Sequence, residues 1–422
     1  MTMPKSKTAK KKATKTNQLS KPSAKKANAK KESGSLTDKS NPHIKLGYLQ
    51  KKLKDGVSQC RVCNHYCVLK EGEYGICGIR KNIKGDIYLM VYGRSAAANI
   101  DPIEKKPLFN FMPGTDVFTI GTIGCNLGCD FCQNWETAQA AKEVGKQKQE
   151  FAERLFEYGY KLSPEQIIKM CIDKNIKTVA FSYNEPTIFL EYALDTMKLA
   201  KKAGIKTVFV TNGFMSKESL DMMKGYLDAV NIDVKSFSED FYKRLCKARL
   251  QPVLDNIKRC HEMGIWIEVT TLFIPGENDS DEEMEKIADF VASVDKSIPW
   301  HVTGFYPAYK MLDKTPTPSD TLKRAYDIGR KKLNYVYTGN IYDPTGESTY
   351  CPKCNNLLIE RENYYTTVVG LEIGKRDVED NKKRYGKEDS KGNGKRNEKG
   401  DGKARGIAKC NKCGQEIKGV FE

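Results

Sequence analysis

The sequence predicts an α/β fold: a full or partial (β/α)6-type, TIM-like barrel, with an N-terminal cysteine-rich segment before it and a C-terminal zinc-ribbon-like module after it. Three observations predict it. From residue 116 onwards, short apolar and β-branched runs alternate with helical stretches. That alternation means βαβ units and a parallel sheet. Of fourteen cysteines, eleven fall into three tight groups that flank or interrupt this region. Finally, 422 residues exceed one small domain and suit two or three units, or one barrel with additions.

The elements follow in order. Asp116–Gly121 (DVFTIG) reads as a buried strand. Ser163–Lys174 reads as a helix, with Ser163 as its cap and Pro164 at its first position, where a missing N–H costs nothing. Lys177–Tyr183 is a strand, and Thr187–Ala203 a helix stopped by Gly204. Strand Lys206–Thr211, short helix Lys217–Gly225 and strand Asp228–Val234 come next. Helix Pro252–Met263 ends at Gly264, before strand Ile265–Phe273. Helix Asp281–Val294, strand Trp300–Tyr306, helix Ser319–Leu333 and a short strand Val336–Thr338 complete the pattern. The expected organisation is a disordered basic tail over 1–45, a cysteine-rich segment over 46–114, the barrel over 115–340 and the C-terminal module over 341–422.

The net charge of +17 is unevenly placed. Residues 1–40 carry twelve Lys against Glu32 and Asp38, and residues 374–409 carry thirteen basic against seven acidic side chains. The remainder has a net charge of only +1. The basic tail and a stretch at about 375–405, which reads as an insertion in the last module, are low in apolar residues and read as disordered. They offer screened, weak contact to nucleic acid, or simply solubilise the chain. A metal-stabilised nucleic-acid-binding protein, using the basic tails and the C-terminal ribbon, is therefore the alternative function. No apolar run approaches the roughly 20 residues of a spanning helix, and the lysine-rich start has no apolar leader. The expectation is a cytoplasmic protein with no membrane partner.

In a reducing compartment, clustered thiols hold soft metals or iron–sulfur clusters rather than disulfides. Cys60, Cys63, Cys67 and Cys77 suit a closed zinc site or a second cluster. Cys351 and Cys354 form one C-x2-C knuckle and Cys410 and Cys413 another. The 55 residues between them shrink to ordinary ribbon spacing when the basic insertion is removed, so they read as a zinc site. Cys171, Cys246 and Cys260 read as small core residues on helices. Cys125, Cys129 and Cys132 form C-x3-C-x2-C just after the first predicted strand, with no fourth Cys or His close in sequence. Three thiolates can grip a [4Fe–4S] cube and leave one iron open. The glycines of Gly121–Gly128 permit a close wrap.

Reactive groups in such folds sit at the C-terminal ends of the strands. There lie Asn184, Glu185 and Pro186 after the second strand, Thr211 and Asn212 after the third, and Asp233 and Lys235 after the fourth. His301 on the sixth strand is either an inward-facing contact or a satisfied core histidine.

The loop GCNLGCDFCQNW resembles the cluster loop of the radical SAM superfamily. The resemblance implies a [4Fe–4S] cluster whose open iron chelates S-adenosylmethionine. Reductive cleavage then yields methionine and a 5′-deoxyadenosyl radical, which abstracts hydrogen from a protein or small-molecule substrate. It also implies a reductant such as ferredoxin or flavodoxin. SYNEPTI resembles the segment that meets the methionine amino group; VTNGF and NIDVK resemble strand ends of glycyl-radical activating enzymes. The resemblance thus places Asn184, Glu185, Pro186, Thr211, Asn212, Asp233 and Lys235 near the cofactor. The run from CRVCNHYCVLKEGEYGICGIRKN to PWHVTGFYPAYKM is similar to AmmeMemoRadiSam system radical SAM enzymes, a group akin to pyruvate formate-lyase activating enzymes. Two departures stand out. Activating enzymes carry a double glycine where this chain has Tyr183-Asn184, and a histidine where it has Tyr309.

Overall fold

Seven parallel strands and one antiparallel strand form a single continuous sheet in the computed structural model, which describes residues 41–142, 155–374 and 407–421. The strands are β1 (Ala97–Pro102), β2 (Asp116–Gly121), β3 (Thr178–Phe181), β4 (Lys206–Thr211), β5 (Ala229–Asp233), β6 (Trp266–Phe273), β7 (Trp300–Gly304) and β8 (Val336–Gly339). Their spatial order is their chain order. Each link between the parallel strands from β3 onwards carries a helix: α1 (Pro164–Asp173) precedes β3, and α2 (Leu190–Lys202), α3 (Lys217–Met223), α4 (Gln251–Glu262), α5 (Asp281–Val294) and α6 (Ser319–Arg330) follow. Helical crossovers are what parallel pairing demands.

The sheet is open, because no pairing joins β1 to β8 among the described residues. A closed barrel is therefore not formed. The sequence did not anticipate β1, which runs antiparallel to β2 in register Ala97↔Gly121 to Pro102↔Asp116. Its sequence AANIDP lacks the β-branched alternation that marks a strand, and it ends on a proline that an edge tolerates. Local signals did set the helices. Ser163 accepts from the Gln166 N–H while the Gln166 side chain answers the Ser163 N–H, a complete capping box for α1.

The amino-terminal end of the sheet is plugged. The Phe109 and Asn110 amides donate to the buried Glu268 carboxylate at 2.9 and 2.8 Å. The chain's last strand-like stretch answers them, with the Val420 amide donating to the Asn110 carbonyl. Polar residues near the floor are thereby consumed, and the opposite rim is left for chemistry.

Two small antiparallel sheets build the cysteine-rich segment: Lys45–Leu46 with Asp86–Leu89 and Arg80–Ile83, and Gln50–Lys52 with Ser58–Cys60 and Val68–Leu69. The basic tail expected over 1–45 lies outside the described residues as far as 40. Beyond that point the expectation of disorder is corrected, since Ile44 is buried and Lys45 pairs with Leu89. The insertion expected at about 375–405 also lies outside the described residues. Around it, Thr349–Tyr350, Leu357–Glu362 and Tyr365–Val368 form one sheet, and Leu371–Ile373, Ala408–Cys410 and Glu416–Ile417 another. No described helix is long and apolar enough to cross a membrane.

Candidate functional site

The loop that leaves β2 carries Cys125, Cys129 and Cys132 across the carboxyl ends of the parallel strands. Cys129 is buried, and Cys125 and Cys132 are partly so. Gly124 turns the chain at φ +87°, in the region where only glycine is unstrained. A Cβ at that position would stand 2.6 Å from the Cys77 carbonyl oxygen. Two cysteine groups distant in sequence therefore touch through backbone, and no larger residue fits between them.

Neighbouring strands reach into this loop. From the end of β3, the Asn184 amide donates to the Gly124 carbonyl at 2.8 Å and to the Thr122 hydroxyl at 3.0 Å. From the end of β4, the Asn212 amide donates to the Asn126 side chain at 2.8 Å and lies 3.9 Å from the Cys125 sulfur. Glu185 is 1% exposed and ties both strand ends together. Its carboxylate accepts from the Thr187 amide and hydroxyl, the Thr211 hydroxyl at 2.8 Å and the Asn212 amide at 2.8 Å. Burial pushes its pKa up, and those four donors oppose the rise. Pro186 follows as the first residue of a short 3-10 turn, Pro186–Phe189, that Glu185 caps.

Asp233 and Lys235 form an ion pair at 2.8 Å beyond β5. Burial works against the Lys235 charge, but Asp233 and the thiols of Cys129 and Cys246 outweigh it, so the pKa stands well above the ordinary lysine value. The Lys235 ammonium also lies 5.9 Å from the Phe131 ring, and that ring is 4% exposed. On the far side, the Lys310 amide donates to the Asp130 carbonyl, and Tyr309 stacks on Trp135 with centroids 5.5 Å apart.

The structure thus brings together Cys125, Cys129, Cys132, Asn184, Glu185, Pro186, Thr211, Asn212, Asp233 and Lys235. It does not bring His301 to them. His301 donates to Glu268 at 2.7 Å, with the Phe109 ring at 4.7 Å and the Tyr337 ring at 5.3 Å. That is the core alternative: the plug at the floor satisfies this histidine.

Two residues escaped the sequence. Cys246 ends a π-helical turn, Tyr242–Cys246, not an ordinary helix. Its carbonyl accepts from the Gly128 amide at 2.9 Å. Its thiol stands beside Cys129, and this neighbour, ahead of burial, pushes the Cys129 pKa well up. So a fourth thiol is near in space where none was near in sequence. Lys142 donates to the Leu127 carbonyl at 2.5 Å. Burial lowers its pKa, while Cys125, Cys129, Cys77 and Cys132 act in the other direction. A π turn is a recurrent functional feature, but neither residue carries a local motif.

The thiols at this site are poorly suited to exist bare. Burial also pushes Cys125 and Cys132 above the ordinary thiol value. A bound metal deprotonates such thiols outright. Among the described residues, the only set of three or more metal-type ligands converging within 4.8 Å is Cys351, Cys354, Cys410 and Cys413. The all-sulfur donor set of the Cys125 loop suits an iron–sulfur core.

Residues 119–291 match the profile of the Radical SAM superfamily. An uncharacterized protein of Methanocaldococcus jannaschii is 39% identical over 325 residues, covering 76% of this chain and 93% of that relative. The pyruvate formate-lyase-activating enzyme of Clostridium pasteurianum is 25% identical over 186 residues, covering 43% of this chain and 74% of the relative. The pyruvate formate-lyase 1-activating enzyme of Escherichia coli is 22% identical over 221 residues, with coverage of 49% and 85%.

Proposed function

The chain belongs to the radical SAM superfamily, an enzyme class that uses S-adenosylmethionine and an iron–sulfur cluster, and from that premise we propose that Cys125, Cys129 and Cys132 hold a [4Fe–4S] cluster with one open iron. The reading is an enzyme similar to glycyl-radical activating enzymes, taking one electron from a ferredoxin- or flavodoxin-type donor and abstracting hydrogen from a protein or small-molecule substrate. When bound, the cluster supplies the electron that splits the sulfonium into methionine and a 5′-deoxyadenosyl radical.

The observation that carries this reading is the convergence of Asn184 and Asn212, from two successive strands, on the three-cysteine loop. Their amides tie the loop to the ends of β3 and β4 at the rim. Glu185 has its oxygens committed to the chain's own donors, so its role is positioning: it sets the Pro186–Phe189 turn and the Thr211-Asn212 corner against each other. Lys235, held by Asp233, places a cation beside Phe131 and Cys129, suited to a substrate carboxylate. Phe131 and Phe241, with centroids 5.8 Å apart, exclude water behind the loop.

We assign Cys351, Cys354, Cys410 and Cys413 to a structural zinc ion. Their sulfurs approach in pairs at 3.6 and 3.7 Å. A tetrahedral ion with arms of about 2.3 Å sets its sulfurs about 3.8 Å apart.

The test is anaerobic reconstitution with iron and sulfide, then dithionite and S-adenosylmethionine. The expected product is 5′-deoxyadenosine, lost in Cys129→Ala. A brown, iron-loaded protein that forms none would overturn the catalytic reading.

A further inference from the structure

The second cysteine group sits against the first. Cys60, Cys63, Cys67 and Cys77 line one pocket, which Arg80 and Asn126 also wall. Asn126 is the residue next to Cys125, so the two sites share a wall. His65 donates to the Asn126 carbonyl at 2.9 Å. The loop after β4 crosses the same ground. Its Asn212 reaches Asn126, while Met215 makes a bridge with Cys63 and the Phe214 carbonyl accepts from the Asn64 amide at 3.0 Å.

The fold contains its own calibration for what such a group holds. In the C-terminal module four sulfurs converge within 4.8 Å, as one tetrahedral ion requires. The four sulfurs of the amino-terminal group do not, although all four face one pocket. Wide spacing around a common centre is what a cubane demands, because its iron corners stand away from the centre and push the thiolates apart. Gly75 lies between two of the ligands: a Cβ there would stand in ordinary contact, 3.8 Å, with the sulfurs of both Cys67 and Cys77.

We propose that Cys60, Cys63, Cys67 and Cys77 hold a second [4Fe–4S] cluster, placed to pass single electrons to the cluster on the Cys125 loop. The direction of flow rests on the function proposed above; the existence of the second cluster does not. One electron leaves a reduced one-electron carrier protein of the iron–sulfur or flavin type, which is thereby oxidised. It enters by the second cluster and moves on to the first, and no bond changes in the transfer. Cys67 is the entry corner, being partly exposed where Cys60, Cys63 and Cys77 are buried. The charge arrangement suits the cargo. Lys142 supplies the cation: its backbone packs against Gly78, next to Cys77, and its ammonium donates to the Leu127 carbonyl of the first loop, whereas Arg80 lines the pocket with its charge already met by Glu191. Cations beside a cluster stabilise its reduced, more negative form. The exit is the Cys77–Gly124 contact, where the two ligand loops meet.

The experiment uses the full chain, purified and reconstituted without oxygen. The wild type is expected to bind about eight iron atoms, two cubes. The Cys125→Ala/Cys129→Ala/Cys132→Ala variant is expected to keep about four iron and four sulfide and to show a reduced-cluster electron paramagnetic resonance signal. A triple variant that melts like the wild type but holds zinc, or no iron, at the remaining group overturns the proposal. A single change guards against misfolding: Cys67→Ser should halve the iron, leave S-adenosylmethionine binding intact and slow 5′-deoxyadenosine formation at least tenfold with flavodoxin as donor. Unchanged iron in Cys67→Ser also overturns it. If the triple variant keeps its iron but the wild type cleaves no S-adenosylmethionine, the function proposed above fails and the second cluster stands. If the wild type cleaves S-adenosylmethionine but the triple variant holds no iron, the second cluster fails and the function stands.

Discussion

Replacing Glu185 separates a positioning role from direct cofactor contact. Its carboxylate accepts four hydrogen bonds in a site 1% exposed. In Glu185→Ala the two hydroxyls can rotate to other acceptors, but the Thr187 and Asn212 amides cannot. Each stranded buried N–H costs about 1–3 kcal/mol. Relief of burying a carboxylate, whose desolvation is visible in its raised pKa, returns part of that. The expected net loss is about 2–4 kcal/mol of stability. Glu185→Gln keeps one acceptor oxygen, on the side of the threonines, but turns an NH2 towards the Asn212 amide. Its loss should be about 1–2 kcal/mol, confined to the Asn212 corner. Anaerobic urea unfolding, followed by circular dichroism, measures both variants, and S-adenosylmethionine titration measures the site. A positioning residue loses stability and affinity together, in the order Ala worse than Gln. If both variants unfold like the wild type while affinity collapses, Glu185 touches the cofactor and the hydrogen-bond argument is wrong.

Three further outcomes follow from the same contacts. Gly124→Ala would place a Cβ 2.6 Å from the Cys77 carbonyl at a φ of +87°, so it should lose iron from both cysteine groups, as iron and sulfide assay would show. Arg80→Met should destabilise the chain by about 3–5 kcal/mol in urea, because it strands Glu191, a 0% exposed carboxylate otherwise paired to Arg80. Burial, then the Asp343 carboxylate, raises the Glu347 pKa to about 7. A raised carboxyl stabilises the fold fully below its ordinary value of 4.5, and that contribution is lost as pH rises through about 7. Glu347→Gln should therefore melt progressively higher relative to wild type between pH 5 and pH 8; a constant difference would refute the shift.

What could be read from residues alone divides along a physical line. Strands β2 to β8 and their helices were legible because burial on both faces of a parallel sheet writes continuous apolar runs, and caps such as Ser163 mark the helix starts. The three-cysteine loop was legible because its ligands are local. The strand ends were legible as a set, since Asn184 and Asn212 occupy one rim by topology. What was not legible depends on contacts across the chain. Cys246 looked like any core cysteine until a π turn aimed it at Cys129. His301 had two readings that only Glu268, 33 residues away, could decide. Tyr183 shows the limit most clearly. It stands where a glycine would be at ease, with φ +68°, and that conformation costs a non-glycine residue about 1 kcal/mol. Its hydroxyl donates to Asp101 at 3.1 Å and accepts from Asn99 at 3.0 Å, and its ring lies 5.0 Å from the Lys106 ammonium. All three partners belong to β1 or the turn after it, the strand that the sequence concealed. The departure from the double glycine of activating enzymes and the unforeseen antiparallel edge are therefore one feature: the tyrosine is tolerated because β1 and the turn after it supply its partners.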